Sequence, residues 1–126
     1  MMANMLNWFE IQTNDLDRAT RFYEKVLATS LKREDFGGTP MAIFKAEQPD
    51  LAGALVKDAR RKPSSDGALV YLNVNGRLDA VIDRIPSAGG EVVLPKTDIG
   101  DPGYIAIFRD TEGNVIGVHS ERSKKS

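Results

Sequence analysis

Met41–Leu55 (MAIFKAEQPDLAGAL) can be laid over Ile105–His119 (IAIFRDTEGNVIGVH) without a gap. Ala-Ile-Phe recurs unchanged at Ala42–Phe44 and Ala106–Phe108, Lys45 falls on Arg109, Asp50 on Asn114 and Gly53 on Gly117. An identity this short has little weight alone. Its weight comes from both copies reading as strand, turn and strand in one register. An internal duplication restricts the chain to two small units, neither able to bury its own apolar face alone.

The flanking sequence repeats the same order. Leu6–Gln12 (LNWFEIQ) is rich in aromatic and apolar residues and reads as a strand. Asn14-Asp15 supplies an N-cap for a helix whose apolar stripe is Leu16, Ala19, Phe22, Tyr23, Val26 and Leu27. Strands are expected at Leu31–Phe36, Pro40–Lys45 and Leu51–Lys57, punctuated by Gly37-Gly38 and Gln48-Pro49-Asp50. After the polar stretch Lys57–Gly67, Ala68–Val74 reads as a strand and Arg77–Ile85 as a helix. The stripe of that second helix is Leu78, Val81, Ile82 and Ile85; Pro86 weakens its end and Gly89-Gly90 stops it. Glu91–Lys96, Tyr104–Arg109 and Val115–His119 complete the strands. Asp110–Asn114 is too short for a calcium loop and reads as a hairpin turn.

The expected fold is therefore α+β, with two tandem βαβββ modules over residues 5–57 and 68–120, a linker at 58–67 and a flexible tail at 121–126. The modules form one domain, a cupped, barrel-like mixed sheet with helices outside and a cavity between the two sheets.

Composition excludes several functions. The chain has no cysteine, so disulfides, thiolate zinc sites and a cysteine nucleophile are out. It has one histidine, His119, and so no His–His metal pair. With 17 basic and 18 acidic residues it lacks the basic stripe expected of a nucleic-acid binder. No apolar run reaches the length of a membrane span, and the N-terminus does not read as a signal peptide; a cytoplasmic protein with no membrane partner is expected.

Asp15–Ala19 (DLDRA) with Phe22-Tyr23, Ala88-Gly89-Gly90, and Phe108–Asn114 (FRDTEGN) together resemble the vicinal-oxygen-chelate superfamily. That group holds glyoxalase I, extradiol dioxygenases, and fosfomycin and bleomycin resistance proteins. The resemblance is strongest to glyoxalase-like bacterial proteins and implies a homodimer. It also implies metal ligands, typically His or Glu, on the first and fourth strands of each module. Those positions fall at Trp8, Leu69, Gly53 and Gly117, none of which offers a donor. No metal or other cofactor is therefore expected. A displaced site two residues on would consist of Glu10, Tyr71 and His119.

Glu10, Gln12, Tyr71 and Asn73 alternate onto one face of their strands, too polar a set for a packed core. The leading expectation is a metal-independent pocket for a small molecule, with Glu10, Gln12, Tyr71, Asn73 and His119 as polar contacts and Trp8 as an apolar wall. An alternative is a lyase or isomerase in which Glu10 is the general base and His119 its partner. A third is a structural or regulatory dimer whose cavity is filled. The basic run Lys57–Lys62 is either a solvated linker or an attractor for an anionic substrate.

Overall fold

A computed structural model describes residues 5–45 and 52–122. The turn expected at Gln48-Pro49-Asp50 lies outside the described residues, as do residues 123–126 of the tail. The order is β1 (Trp8–Gln12), α1 (Leu16–Leu27), β2 (Lys32–Phe36), β3 (Thr39–Ile43), β4 (Ala52–Val56), β5 (Tyr71–Asn73), α2 (Leu78–Ala88), β6 (Glu91–Asp98), β7 (Tyr104–Arg109) and β8 (Val115–Ser120). The strands form two four-stranded mixed sheets, ordered β1-β4-β3-β2 and β5-β8-β7-β6. In each, the first and last strands of the unit pair in parallel and the others antiparallel. This is the α+β duplication expected from the sequence.

Both helices form for the reasons their sequences suggest. Asp15 accepts a hydrogen bond from the Arg18 amide at 3.0 Å, and the predicted stripe of α1 is buried along its whole length. In α2, Leu78, Val81 and Ile85 are buried, but the helix runs through Pro86 to Ala88. Proline sits close enough to the C-terminus for Gly89, at φ 105°, to close the helix by donating to the Pro86 carbonyl. Strand β5 is shorter than expected. Its ladder partner β8 pairs with Tyr71–Asn73, while Ala68–Val70 approach as irregular chain.

One apolar core serves both sheets. The helices pack on each other, and Phe22 and Tyr23 of α1 touch Phe108 of β7 at ring-centroid distances of 5.8 and 6.2 Å. Tyr23 also meets Phe44, beyond β3, edge-on at 5.6 Å. Each sheet thus lays one face on the shared helical layer: Ile11, Ala42 and Leu55 from the first, Leu72, Ala106, Phe108, Ile116 and Val118 from the second. The opposite face of each sheet looks away from this core. No strand of one sheet runs beside a strand of the other among the described residues, so no barrel closes within one chain.

Ladder pairing also tests the duplication. Met41 and Ile105 occupy equivalent places, opposite Val56 and His119 respectively. Val56 therefore matches His119, Ala54 matches Gly117, and Gly53 matches Ile116. The ungapped overlay holds through Ala-Ile-Phe and then slips by one residue between β3 and β4. Because strand side chains alternate, that slip moves Gly53 to the core face.

Candidate functional site

The two outward faces gather the candidate residues in two groups. On the first sheet, Trp8, Glu10 and Gln12 alternate with Phe9 and Ile11, which pack into the core. Trp8 stays 42% exposed, so it is no core tryptophan. Its indole N–H donates to Glu10 Oε2 at 3.2 Å, which leaves the other carboxylate oxygen open. Gln12 Oε1 is buried and has no hydrogen-bond partner among the described residues. A buried amide oxygen in that state is costly unless a ligand or water satisfies it.

On the second sheet, Tyr71 and Asn73 lie beside Gly117 and His119. Asn73 Oδ1 accepts from the Asn75 amide at 2.9 Å and shapes the turn into α2. His119 Nε2 lies 2.6 Å from the Pro102 carbonyl oxygen. A carbonyl only accepts, so this nitrogen carries a proton and donates; Nδ1 is the atom left for other chemistry. The structure brings Trp8, Glu10 and Gln12 together, and separately Tyr71, Asn73 and His119. It does not bring the two groups together within one chain, because they sit on sheets whose outward faces diverge from the core.

The positions that the resemblance assigns to metal ligands do not fit a divalent cation. After the register correction they are Trp8, Ala54, Leu69 and Gly117. Geometry reinforces the chemistry at one of them. A Cβ built on Gly117 would lie 2.3 Å from Cδ1 of the Tyr71 ring, so this ring fills the space where a side chain at 117 would start. Gly53 shows the same relation to Phe9, at 2.3 Å, but on the core side. Among the described residues no three His, Asp or Glu side chains converge as a metal group.

Sequence reasoning missed the most buried polar cluster. Asp110 organises the β7–β8 turn, accepting from the amides of Glu112 (2.8 Å) and Asn114 (3.0 Å) and from the Tyr23 hydroxyl (2.7 Å). Glu112, whose side chain has no solvent exposure, reaches from that turn to the start of α1. It accepts from the Asn14 and Asp15 amides, both at 2.9 Å, and from Arg18 Nε at 2.7 Å. Burial alone would raise its pKa, but Arg18, those two amides and the Thr111 hydroxyl together hold it at about 2. Burial, then the charge of Asp110, keep the Tyr23 hydroxyl protonated. A turn reading finds Asp110–Asn114, but nothing local in the sequence shows that Glu112 caps a helix nearly a hundred residues earlier.

Two four-stranded sheets of duplicated βαβββ topology around a helical core define a paired-module α+β protein. Residues 5–118 match the model of the Glyoxalase/Bleomycin resistance protein/Dioxygenase superfamily, and the chain belongs to that superfamily. It is 26% identical over 115 residues to the protein named "Putative glyoxylase CFP32" in Mycobacterium bovis and in Mycobacterium tuberculosis. The match takes in 89% of this chain but only 44% of those relatives, so the chain spans under half their length. Among solved structures it resembles a glyoxalase/bleomycin resistance protein from Albidiferax ferrireducens, with a TM-score of 0.71 and 18% identity over 94% of this chain and 100% of that one. A glyoxylase/bleomycin resistance protein/dioxygenase domain from Frankia sp. gives 0.71 and 20% over 98% and 96%. The fosfomycin resistance protein FosX from Listeria monocytogenes gives 0.65 and 14% over 99% and 97%. No helix among the described residues is long and apolar enough to cross a membrane.

Proposed function

We propose that the protein binds a small molecule without a metal, in a cavity formed when the outward face of the first sheet in one chain meets that of the second sheet in another. The observation that carries this reading is Tyr71, a 42% exposed ring seated directly over Gly117 at the vacated ligand position. An aromatic floor replaces a carboxylate there, which favours an apolar or planar group of the ligand over a chelated one. The orphaned Gln12 oxygen and the open oxygen of Glu10 supply polar contacts opposite. A homodimer is the simplest assembly that places both residue groups around one cavity, because the faces diverge within a chain. Superfamily membership supports a ligand pocket in this region without naming its occupant.

A second reading has one observation in its favour. Glu10 is anchored through a single oxygen by Trp8, as a positioned general base would be, and one structural neighbour, from Burkholderia phytofirmans, is described as a glyoxalase/bleomycin resistance protein/dioxygenase family enzyme. Glu10→Gln separates the two readings once a ligand is found. In a binder it changes affinity alone, whereas in an enzyme it abolishes turnover and leaves affinity largely intact.

Trp8 is the chain's one tryptophan, so its fluorescence reports directly on the face. A compound panel that quenches it saturably, with the response lost in Tyr71→Ala, supports the cavity. Equilibrium dialysis against zinc, manganese and nickel provides the complementary test. Stoichiometric retention of any of them, abolished by Glu10→Ala, would overturn the metal-free reading.

A further inference from the structure

The duplication builds two clefts at matching places. One, of about 580 Å³, lies where the parallel strands β1 and β4 end, beside Thr13, Thr39 and the run Lys57–Lys62. The other, of about 810 Å³, lies where β5 and β8 end, beside Asn75, Tyr104 and Ser120–Arg122. Their shapes follow from the same topology, but their charges do not.

In the second cleft two of the three cations meet a carboxylate. Lys96 pairs with Asp79 at 3.1 Å, Arg77 donates to the Leu27 carbonyl at 2.6 Å, and Arg122 binds Asp98 and the Tyr104 hydroxyl. The first cleft is lined by four cations and a single carboxylate, Asp58, which only Arg60 and Arg61 reach. Arg60 holds both oxygens of Asp58, at 3.1 and 3.2 Å, and Arg61 shares one of them at 3.3 Å. The hydrogen bonds from the Arg60 side chain keep Asp58 ionised, with a pKa of about 2. Lys57 donates only to the neutral carbonyl of Asn14, at 3.0 Å, and Lys62 has no partner among the described residues. The rim therefore carries an excess of three positive charges around a concave space.

We propose that this first cleft is a binding site for a small polyanion, a molecule carrying at least two carboxylate or phosphate groups. One exposed ion pair contributes little, so a single acidic group would gain little there. Two or three groups held together engage Lys57, Arg61 and Lys62 at once, with one ordering cost. The cleft is of the size that small ligands occupy. This site is separate from the outward sheet faces and does not depend on what they bind.

The test is an amide NMR titration of the full chain at low salt with citrate, with pyrophosphate, and with acetate as a monovalent control. Citrate or pyrophosphate should shift the signals of residues 57–62 and Thr39 saturably, with affinity falling as salt is added, and acetate should not saturate. The tighter of the two polyanions identifies the group as carboxylate or phosphate. Arg61→Gln with Lys62→Gln should weaken binding about tenfold, while Arg122→Gln in the second cleft leaves it unchanged. An amide spectrum otherwise like that of the parent shows that the double variant is folded. Absence of saturation, unchanged affinity in that variant, or shifts centred on Trp8 or Tyr71 would each overturn the proposal.

Discussion

Glu112 shows how a single side chain joins the two halves of the molecule. Its carboxylate belongs to the β7–β8 turn, yet it satisfies amides at the start of α1 that would otherwise be orphaned by the helix geometry. A negative charge at that end also suits the helix dipole. Glu112→Gln keeps the shape and loses the charge-assisted bonds to Arg18, at an expected cost of about 2 kcal/mol at neutral pH. The pH dependence has a definite sign. The folded pKa is depressed from 4.5 to about 2, so the stabilisation is complete above about pH 4.5 and is lost as pH falls towards 2. Urea unfolding at pH 7, 4 and 2.5 should show the gap between parent and variant narrowing across that window; a gap constant with pH would show that the charge has no such role. Tyr23→Phe removes a buried donor to Asp110, which keeps its two amide donors. That variant should lose about 1 kcal/mol in the same assay.

At the scale of strands, the two close-packed glycines make a differential prediction. Gly53→Ala and Gly117→Ala introduce the same atom at the same 2.3 Å distance from an aromatic ring. Phe9 packs against the core and meets Phe44 at 5.6 Å, so it has nowhere to go, whereas Tyr71 is 42% exposed and can swing outward. Gly53→Ala should therefore destabilise by about 1–3 kcal/mol and Gly117→Ala by clearly less, as measured by thermal unfolding. Equal losses would mean that both rings are equally confined. The same pair marks where sequence reasoning stops. Apolar periodicity placed both helices, and Ala-Ile-Phe placed β3 against β7, because those signals come from residues within one element. The slip before β4 depends on how many residues separate it from β3, and a one-residue difference there leaves the pattern of small apolar residues almost unchanged. That Trp8, Glu10 and Gln12 share one face of β1, opposite Phe9 and Ile11, was legible from alternation alone. That the two candidate groups face away from each other was not, since it depends on how α1 and α2 pack.

For the whole molecule, the question is what covers the outward faces. On the second sheet Tyr71 and Val93 are 42% and 50% exposed, with Leu69 just ahead of β5 at 42%, and on the first Trp8 and Phe36 are 42% and 53% exposed. Apolar surface arranged along a sheet face in this way is characteristic of interaction surfaces in soluble proteins. The dimer proposed above pairs the first face of each chain with the second face of the other, so one two-fold axis produces two equivalent cavities and leaves neither set of aromatics in water. Sedimentation equilibrium should then give twice the 13.8 kDa chain mass at micromolar concentration. Leu69→Asp is the informative variant. Leu69 precedes β5 and is 42% exposed, so the charge costs the folded chain little, but at a paired face it would be buried without a partner. Its expected effect is dissociation to the chain mass with an unchanged unfolding midpoint at low concentration. A parent that sediments as a monomer would exclude the shared cavity, and a dimer indifferent to Leu69→Asp would place the interface elsewhere.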